Sequence, residues 1–454
     1  MQRRQSRRKS RRQSRKPVRK QSRRKSRKQS RRKSRRKSRR QSRKYKKASR
    51  VDLRRRGGVF DQLPGEVLFD IESFARQKRP RTDPLFTSIR QRSSFNNDTL
   101  RQAIQLWATN REECERRYGY MKDWNVSKVT DMRHLFTGSP AFEEVYENFN
   151  EPLNDWDVSN VVDMSLMFEG LVAFNQPLNN WNVSNVIDMS SMFENARSFN
   201  QPLNNWNVSN VETMEGMFRR ATSFNQPLNN WNVSNVENME GMFQDAESFN
   251  QPLNNWNVSN VTDMKAMFRG ATSFNQPLNN WNVSSVTNMG MSFYDRYGGM
   301  FEGATSFNQP LNNWNVSNVT EMESMFKGAT SFNQPLNNWN VSNVESMSNM
   351  FEGATSFNRP LNNWNVSNVV TMASMFAGAT SFNQPLNDWN VGRNRTLDNV
   401  TDMFRNATSF NQPLDNWDMT WVTWTDNIFA GATSFNQEQT IRLWNQQSGE
   451  DIFP

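Results

Sequence analysis

From residue 124 onward, apolar and polar positions alternate in a fixed frame of 25 residues, well shown by residues 249–273, FNQPLNNWNVSNVTDMKAMFRGATS. Counting from the Trp, Val stands at +2 and +5, Met at +8 and +11, Phe at +12 and +18, Pro at +21 and Leu at +22. The anchoring Trp recurs at Trp124, Trp156, Trp181, Trp206, Trp231, Trp256, Trp281, Trp314, Trp339, Trp364, Trp389 and Trp417, which makes twelve coils. A fixed period in this range marks a repeat solenoid, in which no unit buries its apolar face alone and neighbours complete the core. Within a coil, Val at +5 and the Met-Phe positions to +12 have helical spacing, so VTDMKAMF predicts a two-turn helix, with Ser at +3 or Thr at +6 to cap it and Gly at +14 to end it. SFNQPL and WNV predict two short extended pieces, with Asn-Asn as a turn between them. The paired Met read as core, where a flexible thioether fills irregular gaps.

Three gaps depart from 25 residues: extra residues stand around 143–149, GMSFYDRYGG replaces two residues at 290–299, and 392–399 lengthens the next-to-last coil. Insertions in a stack of repeats are displayed at a rim or face. Residues 99–123 predict an N-terminal helical cap: Asp98 as N-cap of a helix with Leu100, Ala103, Ile104 and Trp107 on one face, and Asn110 capping a second helix with Cys114 and Tyr118. Residues 437–454, with Ile441, Leu443 and Trp444, predict a C-terminal cap around the repeat body of 124–436.

Charge divides the chain again. Residues 1–56 hold 32 Lys and Arg against one acid, Asp52, whereas the remainder holds 25 bases against 43 acids, a net of −18. The leader carries Ser on a four-residue beat, almost no apolar residue and a strong like charge, so it is expected to be disordered and to attract polyanions by counterion release. Nucleic acid is its expected partner, and intracellular, nuclear or virion-associated placement its expected consequence. Ser10, Ser26, Ser34 and Ser38 follow basic triplets that resemble substrates of basic-directed kinases.

Candidate chemistry is sparse. One Cys (Cys114) and one His (His134) leave no disulfide framework, no zinc cluster and no nucleophile-and-base pair, and no apolar run reaches membrane-spanning length. His134 falls at a variable, exposed position. The repeated Asn-Val-Ser reads as turn, cap and Asn ladder rather than as a glycosylation signal. No catalytic, cofactor-binding or metal-binding residue is expected, and the chain reads as a non-enzymatic binding protein. The positions that vary from coil to coil, at +9, +10 and +13, include Glu215, Arg219, Glu240, Gln244, Lys265, Ala266, Arg269, Glu323 and Lys327. With Tyr294 and Arg296 of the insertion, they form the candidate interaction stripe for an unknown protein partner.

The repeat WNVSNVTDMxxMFxGATSFNQPLNN, with 100–132 ahead of it, resembles the BspA-like leucine-rich-repeat family, also known as a mycoplasma-type domain of unknown function. The resemblance covers about 99–436. It implies a leucine-rich-repeat-like solenoid with short strands and a short helix in each coil. Bacterial members look like surface adhesins; the polybasic leader is more like intracellular members from large DNA viruses or protists. A second resemblance lies in the linker 57–98, where 60–75, FDQLPGEVLFDIESFA, is similar to the opening of an F-box. Leu63, Pro64, Val67, Leu68 and Ile71 would there dock a Skp-type linker subunit of a cullin ubiquitin ligase, with Glu66 and Phe74 also matching. The following RQKRPRTDP lacks that family's further apolar helices.

Overall fold

The computed structural model describes residues 94–137, 145–290, 298–392 and 396–448. The chain enters through α1 (Asn97–Thr109) and α2 (Arg111–Tyr118). Asn96, not Asp98, caps α1: its side chain accepts from Thr99 N at 2.9 Å, and the Thr99 hydroxyl accepts from Asn96 N at 2.9 Å. Asp98 sits in the first turn, where its charge suits the helix dipole. Asn110 caps α2 by accepting from Glu113 N. Leu100, Ala103, Ile104 and Trp107 are buried, and Trp107 meets Phe149 edge-on at 5.5 Å.

Beyond the helices the repeats stack, each bonded to the next, and the expected two-turn helix does not form. In coil after coil the residue at +10 takes a positive φ, whether Gly241 (57°), Ala266 (54°) or Ser324 (61°), and a left-handed residue interrupts an α-helix. The backbone N–H groups explain why. Those at +8, +10, +12 and +14 donate to carbonyls of the following coil, as in Met239 to Asp263 (3.0 Å), Gly241 to Lys265 (2.8 Å), Phe243 to Met267 (2.9 Å) and Asp245 to Arg269 (2.6 Å). The alternate groups close tight turns, as in Met242 to Met239 (3.2 Å) and Gln244 to Gly241 (3.0 Å). A helix would use all of them internally and leave the coils unjoined.

The expected strands are also absent among the described residues. What remains of a sheet is one parallel bridge per coil at +7, running from Asp131 and Asp163 through Asp263 and Asn288 to Trp424, with Asn399 taking the place at +10 in the lengthened coil. Side chains supply the rest of the stacking. Asn250 Oδ1 accepts from Asn275 N and from Gln276 Nε2, both at 3.0 Å, and the pattern repeats along the stack. The Trp256 indole donates to Leu228 O of the preceding coil at 3.0 Å, as its counterparts do.

Inside, like stacks on like. Trp231 and Trp256 lie 6.4 Å apart at an interplanar angle of 2°, Phe218 and Phe243 5.7 Å apart, and Phe224 and Phe249 6.0 Å apart. Neighbouring repeats sit about 4.8 Å apart, so centroid separations near 6 Å describe slipped, offset stacks, the arrangement aromatic rings prefer. The Val, Met, Phe and Leu columns are buried up to the last coil, where Val422 and Phe435 are half-buried. After the last repeat, α3 (Glu438–Ser448) follows, and its Trp444 is fully buried 5.8 Å from Trp417.

Candidate interaction surface

The variable stripe is far less exposed than its variability suggests. Lys265 (3% exposed), Ala266 (0%) and Gln244 (4%) are buried, and Glu215, Arg219, Glu240, Arg269, Glu323 and Lys327 are half-buried. The stripe lies on the turns that carry the coil-to-coil bonds, so each side chain is flanked by its counterparts one coil away. It reaches along the stack rather than outward.

Its contacts are internal. Arg219 grips Glu194 of the preceding coil (Nη2 to Oε1 2.5 Å, Nε to Oε1 2.8 Å), Lys265 meets Glu240 at 3.2 Å, Arg269 meets Glu302 at 3.3 Å and Lys327 meets Glu352 at 2.7 Å. Glu215 accepts from Asn238 Nδ2 at 3.4 Å, and Glu323 from the Ser346 hydroxyl at 3.3 Å. Ala266 holds the left-handed backbone of its coil, and Gln244 Oε1 is buried with no hydrogen-bond partner among the described residues. Tyr294 and Arg296 lie outside the described residues, as do Leu63, Pro64, Val67, Leu68 and Ile71 and Ser10, Ser26, Ser34 and Ser38.

Four overlapping matches, over 108–223, 202–297, 293–389 and 362–453, align the chain with the family described as Mycoplasma protein of unknown function, DUF285. The chain belongs to this family. No curated protein matches it.

Sequence reasoning missed the column of this DUF285 stack that does vary in the open, at +6. Val162 (40% exposed), Ile187 (39%) and Val370 (42%) stand there, with Glu212, Glu237, Thr262 and Glu345 exposed in the same column, and Asp398 exposed just before the bridge residue of the lengthened coil. At +16, Arg197, Glu247 and Thr272 are exposed as well. The signal was available in the sequence: +6 immediately precedes the bridge residue, and successive residues of an extended pairing point to opposite sides.

Electrostatically the DUF285 body is uneven. Burial raises the carboxyl of Glu240 above its ordinary value in spite of Lys265 beside it. Burial, then Glu345 and Glu323, raise Glu321; burial chiefly raises Glu323; burial, then Glu194, raise Glu169. Burial also pushes the Cys114 thiol up to about 11, which keeps it protonated and unreactive at neutral pH. Among the described residues, no group of three or more His, Cys, Asp or Glu is placed to hold a metal ion, and no helix is long and apolar enough to cross a membrane.

Proposed function

We propose that the chain is a non-enzymatic interaction scaffold, a BspA-like, leucine-rich-repeat-like solenoid that takes a protein partner along its exposed +6 column, with residues 1–56 holding the complex on nucleic acid. The +6 column carries the reading. It is exposed, it changes from coil to coil, and it places Val162 and Ile187 in successive coils, followed by Glu212 and Glu237. Adjacent exposed apolar residues beside charge are the usual composition of a contact patch. The half-buried stripe at +9 and +13 is already occupied by ion pairs along the stack, so the partner surface moves from there to +6 and +16.

Photo-crosslinking from positions 162, 187 and 237 in cells tests the reading. A discrete adduct from these sites, lost in a Val162→Asp/Ile187→Asp variant of unchanged melting temperature, supports it. Equal labelling from +6 and from a control site on the opposite side removes it. For residues 1–56, titration of mixed-sequence duplex DNA at several salt concentrations should give a steep, sequence-independent salt slope that disappears when the segment is deleted. Phosphorylation at Ser10, Ser26, Ser34 and Ser38 should flatten that slope, since each phosphate adds about −1.5 to −2 charge.

A further inference from the structure

The +6 column is a ruler. Ile187 N donates to Val162 O at 2.9 Å, Glu212 N to Ile187 O at 2.9 Å and Glu237 N to Glu212 O at 2.8 Å, so these four residues stand in direct register. Their side chains leave the stack in steps of about 4.8 Å. Beside them runs the +4 column, Asn160, Asn185, Asn210 and Asn235, exposed and uncharged. Each of these Asn donates from Nδ2 to a Ser carbonyl of the preceding coil at 2.7 to 2.8 Å, which holds it in place. A partner lying along the column meets a spacing fixed by backbone bonds.

The four residues also have an order: two apolar, then two acidic. At +9 and in the adjoining turns, Glu194 and Glu240 have Arg219 and Lys265 against them. Glu212 and Glu237, with Asp188 and Glu215 close by, have no ion pair among the described residues. The complement of this stretch is apolar at one end and cationic at the other.

Spacing decides which backbone can supply it. On a helix, i, i+3, i+7 and i+10 share one face. They lie about 4.5, 10.5 and 15 Å along its axis from the first, against about 4.8, 9.6 and 14.4 Å for the coils, so no contact is out of step by more than about 1 Å. An extended strand presents one face every 6.7 Å or so, which overshoots Ile187 by about 2 Å and Glu212 by nearly 4 Å. A polyproline helix returns to one face every 9.3 Å or so and meets only every second coil.

We propose that the partner lays an amphipathic helix along this column. Counted from the end that rests on Val162, apolar residues at the first and fourth positions pack on Val162 and Ile187, and Lys or Arg at the eighth and eleventh pair with Glu212 and Glu237. This rests on the reading of +6 as the partner surface and adds what kind of segment the surface takes.

Two fluorescent peptides, stapled into helices on the face away from the column, test it against the full chain by anisotropy at physiological salt. One carries Leu at i and i+3 and Lys at i+7 and i+10; the other carries the same residues at the same positions in the order Leu, Lys, Leu, Lys. Composition, charge and helicity are then equal, and only the order differs. The first should bind at least about tenfold more tightly than the second. Val162→Asp/Ile187→Asp and Glu212→Gln/Glu237→Gln should each abolish that difference, whereas Glu345→Gln, in the same column but away from the four, should leave it. Equal binding of the two peptides, binding of neither, or a preference that survives both double variants overturns the helix. If crosslinking from 162, 187 and 237 still gives its discrete adduct in that case, the +6 surface stands and its partner has another shape; if crosslinking fails as well, the surface falls with it.

Discussion

The core columns and the +9 and +13 side columns are built by the same stacking and answer it in opposite ways. In the core each coil repeats the residue of its neighbour, Trp on Trp and Phe on Phe, because a neutral ring packs well on an offset copy of itself. A charge stacked on its own copy is repelled. The side columns instead set opposite charges against each other at several steps, Glu194 with Arg219, Glu240 with Lys265, Arg269 with Glu302 and Lys327 with Glu352. Constancy in one column and variation in the other are both consequences of neighbours about 4.8 Å away. Variability by itself is therefore no sign of recognition in this molecule.

The largest break in that comparison is in the core. Trp256→Ala removes a ring held between Trp231 and Trp281 together with its indole bond to Leu228 O. A cost of about 4 kcal/mol is expected from urea unfolding at 25 °C. Because each coil touches only its neighbours, the loss should also make the transition less cooperative. A single unchanged transition with a cost below about 1 kcal/mol would remove the mutual-support account of the core.

Next comes the buried pair in the side columns. Lys265→Ala leaves the Glu240 carboxylate, half-buried, without its cation, and a loss of about 3 kcal/mol at pH 7 is expected, since breaking a buried pair from one side strands the other charge. The double change Glu240→Met/Lys265→Met should recover most of it. If the single and double variants lose equally, the pair contributes by packing alone.

The repeat frame, its core columns and the helical ends were legible because 25-residue periodicity and apolar spacing are local properties of the chain. The backbone within a coil was not. VTDMKAMF has helical spacing, yet Ala266 holds a positive φ and Met264 N donates to Asn288 O of the next coil. Local propensity lost to bonding between residues 24 apart, and a short helix is marginal in water without such help. The stripe was misplaced for the same reason: treated as a helix, +9 and +13 face outward, whereas in the stacked turns Lys265 points at Glu240. Asn96 outdid Asp98 as the cap because Thr99 completes a reciprocal pair with it.

Where like carboxyls meet instead, pH should show it. Glu321 lies near Glu345 and Glu323, and Glu169 near Glu194, and all of Glu169, Glu240, Glu321 and Glu323 have carboxyls raised by burial above 4.5. A raised folded value means stability that is fully present below the unfolded value and is lost as pH rises through the folded one. These groups should make the chain lose stability as pH climbs from about 4.5 toward neutrality. Glu113 opposes them lower down: hydrogen bonds from Arg116 and Arg117 hold its carboxyl at about 2, so its contribution fades only as pH falls from 4.5 toward 2. Thermal melts of Glu321→Gln/Glu323→Gln against the unmodified chain should show a flatter slope between pH 4.5 and 7. An unchanged slope would clear these two residues of the effect.

The smallest expected effect tests the comparison where it is weakest. Glu212 and Glu237 stand in successive coils at +6, two like charges in one column. They are exposed, and water screens their repulsion. Glu237→Lys places a cation beside Glu212 with Thr262 on its other side, so a gain of no more than about 0.5 kcal/mol is expected in low salt, vanishing at 1 M salt. A gain that persists in high salt would mean that +6 is tied into the stack like +9 and +13. A gain lost with salt leaves +6 as a column whose residues the fold does not dictate, and an exposed column free of that constraint is where a binding surface can be written without cost to the stack.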